Sequence, residues 1–166
     1  MRRPTFVLGF VAGCSSSAML SGCVDTSPDR VRLSASVKNV ALSVSAGSLV
    51  NTLAGTFDVE LDVGDLASGD ATIKDPPSFQ LVVAKTQKTL RVLDAVPSKD
   101  GFPLTVKSGE KRTLSFAASD TNTLEASDLT VACAGPVQIA ASLTDTLTAD
   151  RPIAFESDAV TLSGCP

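Results

Sequence analysis

Apolar and polar residues alternate along most of this chain. Phe57, Val59, Leu61 and Val63 stand at odd positions with Asp58, Glu60 and Asp62 between them, and a period of two puts one set on each face of a strand. The same period recurs in Phe79-Leu81-Val83, Leu104-Val106, Leu114-Phe116-Ala118, Leu129-Val131-Cys133, Val137-Ile139-Ala141-Leu143 and Val160-Leu162. Towards the front, Val31, Leu33, Ala35 and Val37 are odd, whereas Val40, Leu42 and Val44 are even. The pattern slips at Lys38-Asn39, which requires a bulge or a turn if both halves are to face one core.

Punctuation falls between the runs: DPPS at 75–78, SKDGFP at 98–103, KSGEK at 107–111, SDTNT at 119–123, AGP at 134–136 and ADRP at 149–152. Clusters of Gly, Pro, Asn, Asp and Ser are turn signals. A helix over 79–93 is disfavoured, because Phe79, Leu81, Val82 and Val83 cluster instead of recurring at helical spacing, and two Thr interrupt the rest. No helix longer than a turn is expected. Short punctuated strands predict an all-β chain, an antiparallel β-sandwich of roughly 7–10 strands over residues 31–166. The run LRVLDAVPSKDGFPLTVKSGEKRTLSF at 90–116 resembles the strand, loop, strand, xGE, strand succession of bacterial immunoglobulin-like domains. That resemblance implies an immunoglobulin-like sandwich.

The first 23 residues read differently. Arg2 and Arg3 precede an apolar run from Phe6 to Gly13, and Ser15-Ser16-Ser17 follows at once. Such a run falls well short of the roughly 20 residues a transmembrane helix needs, so the layout is that of an export signal peptide over residues 1–22. At its end, Leu20-Ser21-Gly22-Cys23 is similar to the lipobox of bacterial lipoproteins. The resemblance implies cleavage before Cys23, a diacylglycerol thioether on its sulfur and usually an N-acyl chain. The mature protein would then be held in the bacterial cell envelope by a lipid anchor, without crossing the membrane.

Val11-Ala12-Gly13-Cys14 is a rival processing site. Cutting at Cys23 removes Cys14 and leaves Cys133 and Cys165 as an even pair, whereas cutting at Cys14 leaves an odd thiol in an oxidising compartment. In the enteric lipoproteins that this signal resembles, Asp directly after the lipidated Cys favours inner-membrane retention. Here that position is Val24, with Asp25 one further on, so the outer membrane is favoured in a host that has one. Residues 23–30 then form the lipidated Cys and a short tether, DTSPDR at 25–30.

Removing Arg2 and Arg3 leaves 18 acidic residues against 12 basic ones, a formal charge of −6. That balance argues against nucleic acid and against electrostatic docking on anionic lipid. The chain has no His, Tyr or Trp, which removes the commonest general base and a second class of acid–base partner. Ser108-Gly109-Glu110-Lys111 matches Ser-x-x-Lys, the nucleophile motif of penicillin-binding proteins and β-lactamases. The Ser-Asp-Asn and Lys-Thr-Gly companions are missing, and the segment reads as a hairpin turn. No catalytic residue is therefore expected, and the protein is not read as an enzyme. A glycosidase pair of carboxylates would want a cleft with aromatic platforms that this composition does not supply.

Zinc or copper would want His or a cluster of thiolates. Calcium wants oxygens, and Asp58, Glu60 and Asp62 project from one strand face with Asp65 and Asp70 in the loop beyond. Neighbouring carboxylates on one strand face lie ~7 Å apart, too far to share an ion without help from that loop. The alternative is a solvated face whose charges discourage edge pairing.

Cys133 is in phase with Leu129 and Val131, and Cys165 follows Gly164, which can swing it round. A disulfide between them would staple the last strand to the strand near 129–133 and stabilise by ~3–4 kcal/mol on a chain-entropy account. The functional expectation is a non-catalytic binding or structural module, attached to a membrane through Cys23. It would meet an envelope or extracellular protein through loops or a strand edge. A calcium-dependent adhesive or carbohydrate-contacting domain is the alternative. No cofactor is expected beyond the covalent lipid and the Ca²⁺ of that alternative.

Overall fold

The alternating runs become two facing antiparallel sheets. The computed structural model describes residues 33–47, 50–99, 101–148 and 151–166. Its elements are β1 (Ser34–Ala46), β2 (Asn51–Asp62), β3 (Ala71–Ile73), β4 (Ser78–Val83), β5 (Thr89–Leu93), β6 (Ala95–Pro97), β7 (Leu104–Val106), β8 (Lys111–Leu124), α1 (Ala126–Cys133), β9 (Val137–Leu143) and β10 (Ile153–Glu156). One sheet has the order β1-β2-β8-β6, the other β10-β9-β4-β5, and β3 pairs with β7. This is the connectivity of an immunoglobulin sandwich, strands ABED facing GFC, with one strand added beside C. Residues 1–30, expected from the sequence to be signal peptide, lipidated Cys and tether, with Cys14 and Cys23, lie outside the described residues, as do Val31 and Arg32.

The core follows from the period of two. Phe57, Val59, Leu61 and Val63 are all at most 1% exposed, and Val137, Ile139, Ala141 and Leu143 line the facing sheet. Phe57 pairs with Phe116 across β2 and β8, their rings stacked at 5.7 Å, and Phe79 of β4 meets both edge-on at 4.8 and 4.9 Å. The three rings therefore tie one sheet to the other. Edge-to-face contacts add roughly 0.5–1.5 kcal/mol each beyond the area they bury.

The slip at Lys38-Asn39 is a β-bulge. Lys38 pairs with Asp58 and Ala41 with Thr56, so Asn39 and Val40 together face Phe57. Asn39 takes φ 51°, a region that Asn tolerates better than most residues. Val37 and Leu42 are thereby both buried despite opposite parity. Just past the bulge, opposite Leu42, Gly55 is required by contact: a Cβ there would lie 2.0 Å from the Ala41 carbonyl oxygen.

Three expectations from the sequence need correction. Residues 129–133 form the last part of α1, not a strand; Leu129 and Ala132, three apart, are buried and Val131 is 38% exposed. Two helical signals outweigh the brief alternation: Asp128 in the first turn and Gly135-Pro136 just past the end. SDTNT at 119–123 is no turn but a break inside β8, where Leu53 pairs with Asn122 and Gly55 with Ala118. KSGEK at 107–111 does turn the chain, but not as a hairpin, because β7 pairs with β3 and β8 with β2 and β6.

The two flanks between the sheets are closed differently. On one, β5 leaves its sheet at Asp94 and re-enters the other as β6. Buried Asn122 holds the crossing, its Oδ1 accepting from the Asp94 N–H at 2.8 Å and its Nδ2 donating to the Asp94 and Ser119 carbonyls at 2.9 and 2.7 Å. On the other, the segment after β10 runs beside β1. Ser157 and Ser163 form parallel bridges with Val37 and Ser43, and Val160 bridges antiparallel to Val137 of β9. This strap ends at Cys165, which is disulfide-bonded to Cys133 with Cα atoms 5.7 Å apart. Gly164 makes the approach with φ 73°, and a Cβ on it would lie 2.2 Å from the Val44 carbonyl oxygen. The staple thus joins a helix end to a bridged strap, where strand to strand was expected.

Candidate functional site

The most organised surface is one end of the sandwich, where the connections β2–β4, β6–β8 and β9–β10 converge. β3 lies in the first connection and β7 in the second, and their pairing welds the two. The third is tied to the first at Thr72, whose carbonyl accepts from the Thr146 N–H at 3.1 Å and whose N–H donates to Thr146 Oγ1 at 3.0 Å. Thr72 Oγ1 also meets Thr105 Oγ1 at 3.2 Å. Within the third, buried Asp145 accepts from the Leu147 and Thr148 amides at 2.6 and 3.2 Å and from Thr148 Oγ1 at 2.8 Å. A carboxylate bonding to backbone two and three residues on makes an Asx-type turn.

Ser108 belongs to this clamp. Its hydroxyl donates to the Gly64 and Asp65 carbonyls at 3.2 and 3.3 Å, and its N–H donates to Asp70 Oδ1 at 3.1 Å. The Lys107 N–H donates to Glu110 Oε2 at 3.0 Å, closing the turn on itself. A nucleophilic Ser would need its proton directed at a base. Here the Ser108 hydroxyl points its hydrogen at carbonyl oxygens instead.

The carboxylates considered for calcium are spread between this end and the outer face of the first sheet. Asp58 accepts from Asn39 Nδ2 at 2.8 Å and from Ser115 Oγ at 2.7 Å. The Asn39 bond, then the Ser115 bond, hold its pKa below the ordinary carboxylate value, against a smaller opposing effect of burial. Asp62 pairs with Lys111 Nζ at 2.8 Å, and that bond, followed by the Asp62 charge, raises the Lys111 pKa above its ordinary value. Glu60 is exposed on the same face, and Asp65 and Asp70 flank the Ser108 turn. Among the described residues no group of three or more His, Cys, Asp or Glu is placed to hold a metal ion. A shallow groove of about 280 Å³ runs along this face past Ser34, Ser36, Glu60, Asp62, Lys111 and Thr113. It is half open, mixed in polarity and without aromatic walls, unlike the deep and mostly apolar sites that enclose small molecules.

No protein-family model matches the chain, and no curated protein does. Among solved structures, the chain is similar to the X-ray structure of Northeast Structural Genomics Consortium target SoR45. The two share 9% identity at a TM-score of 0.47, over 80% of this chain and 86% of that one. The chain's chemistry is therefore read from its own residues.

Of the two sheet faces, the second is the plainer. Ser78 and Ser142 share a hydroxyl–hydroxyl hydrogen bond at 2.8 Å, and Gln80 and Gln138 accept from Thr89 and Gln87 at 3.0 Å each. Sequence reasoning missed three features: the Asn122 pin, the Thr72–Thr146 weld and the exposed Leu66 of the loop end. Of these, only the weld left a local signal, the DTLT run at 145–148 in which Asp145 closes an Asx turn beside Thr146.

Proposed function

We propose that this chain is a lipid-anchored lipoprotein of the bacterial cell envelope, in the outer membrane where the host has one. Its β-sandwich serves as a non-catalytic binding or structural module. The observation that carries the reading is Leu20-Ser21-Gly22-Cys23 behind a charged and then apolar leader. The bridge between Cys133 and Cys165 supports it, because disulfides persist in oxidising compartments and this one leaves no odd thiol once residues 1–22 are gone. The module reading is supported by a loop end whose polar groups are spent on fixing three connections and by the absence of His from the chain.

The reading is tested at Cys23. Cys23→Ser is expected to abolish palmitate labelling and to move the protein from the membrane fraction to the soluble one. Unchanged membrane attachment with unchanged labelling would refute it. A partner of the module is sought by in-cell crosslinking; recovery of lipid and peptidoglycan alone, in repeated trials, counts against a protein partner.

A further inference from the structure

We infer that the loop end of the sandwich, with the exposed side chain of Leu66, sits against the lipid bilayer, and that the disulfide end points away from it. The inference rests on the lipoprotein reading and adds an orientation to it. Leu33, where the described chain begins, is 7% exposed, and Ser34 pairs with Asp62 at the loop end. Ten residue steps separate Cys23 from Leu33, a reach of at most roughly 35 Å. β1 has 13 residues and runs from the loop end to the disulfide end, a length of about 40 Å. A domain standing on its disulfide end would hold Leu33 beyond the reach of its own tether, even at full stretch. With the loop end down, Leu33 lies within that reach.

The most exposed large apolar side chain of the described residues, Leu66 at 70%, lies on the loop end; Val92 and Val96, at 60% and 62%, lie on the β5–β6 flank, and Val50 and Val131, at 50% and 38%, at the opposite end. Carboxylates of the loop end are engaged, Asp62 by Lys111, Asp70 by the Ser108 amide and Glu110 by the Lys107 amide, while Asp65 beside Leu66 is exposed. The end therefore meets lipid by apolar contact under the high effective concentration that a short tether imposes, and not by attraction to anionic headgroups.

The chain contains no Trp or Tyr, so Leu66→Trp and Val50→Trp are single fluorescent reporters at the two ends, both at sites open enough to take the ring. The full chain, processed in a lipoprotein-exporting bacterium, is reconstituted into phosphatidylcholine vesicles brominated on the acyl chains, and flotation is measured first. Both variants should float. Leu66→Trp should emit further to the blue and lose most of its intensity relative to unbrominated vesicles, while Val50→Trp should be unchanged. Floating protein with equal loss at both ends, loss at Val50→Trp alone, or no loss at either overturns the orientation and leaves the lipoprotein reading standing. Protein that does not float overturns the lipoprotein reading, and the orientation falls with it.

Discussion

The two flanks of the sandwich solve one problem at very different sequence distances. At the β5–β6 flank the chain closes the gap itself, and a single buried amide, Asn122, satisfies the crossing at Asp94 from 28 residues away. At the β1 flank the gap is closed by a strap whose Ser163 hydroxyl bonds to the Leu42 carbonyl across 121 residues of chain. Loop-closure entropy grows only slowly with length, and the strap is held by bridges to β1 and β9, by hydrogen bonds of buried Ser157 to Gln138 and Ile139, and by buried Leu162. Here the chain adds a covalent bond. The local closure carries a buried amide, and the remote closure adds a disulfide to its hydrogen bonds.

That contrast can be broken at several points. The largest effect is expected from Cys133→Ala with Cys165→Ala, which removes ~3–4 kcal/mol on the chain-entropy account. Urea denaturation should show it, together with faster hydrogen exchange at the Val44 amide, which donates to the Ser163 carbonyl at 2.8 Å. An unshifted midpoint would mean that the strap docks without its staple. Next comes Asn122→Ala, about 2–3 kcal/mol, because the Asp94 amide and carbonyl and the Ser119 carbonyl all lose their bonds to a residue that is 0% exposed. Its effect should add to that of the cysteine pair, since the bonds of Asn122 run to Asp94 and Ser119 and not to the strap.

Gly164→Ala should cost ~1–2 kcal/mol through its positive φ and its clash with Val44. Combined with the cysteine pair it should be less than additive, because both changes act on one strap. Full additivity would uncouple Gly164 from the staple. A smaller effect tests the bulge beside that flank. The depressed pKa of Asp58 stabilises the fold above the ordinary carboxylate range, and the contribution disappears as pH falls through the folded-state value. The stability gap between the native chain and Asp58→Asn should therefore be present at neutral pH and close in acid; a gap that is flat with pH would detach Asp58 from the bulge. Millimolar Ca²⁺ should leave the melting temperature where it is, since among the described residues no site gathers the carboxylates. A rise that Asp62→Asn removes would restore the calcium reading.

Where burial alone decides, the sequence was legible. The strand faces of β2 and β9 follow their alternation residue by residue, and the parity slip in front of Val40 located the bulge, because a core on one side forbids any other solution. The Cys133–Cys165 pair was legible by cysteine count. What escaped was decided by partners far away in the chain. Leu129-Val131-Cys133 alternates as well as any strand, yet it joins neither sheet and forms the end of α1, as its flanking residues allow. Asn122 sits in a run that reads as a turn until Asp94 is brought beside it. In the carboxylate series, spacing showed one wet face but not that Asn39, Ser115 and Lys111 would stand opposite Asp58 and Asp62.

β1 carries one more consequence, a mechanical one. It enters at the loop end and runs to the end where the strap is locked to α1, paired along one side with β2 and touched along the other by the strap. A pull between the N-terminal end of β1 and the Cys133–Cys165 bridge would act along the strand. Ladder hydrogen bonds lie across that direction, so they would share the load and fail together in shear, not open one at a time like a zip.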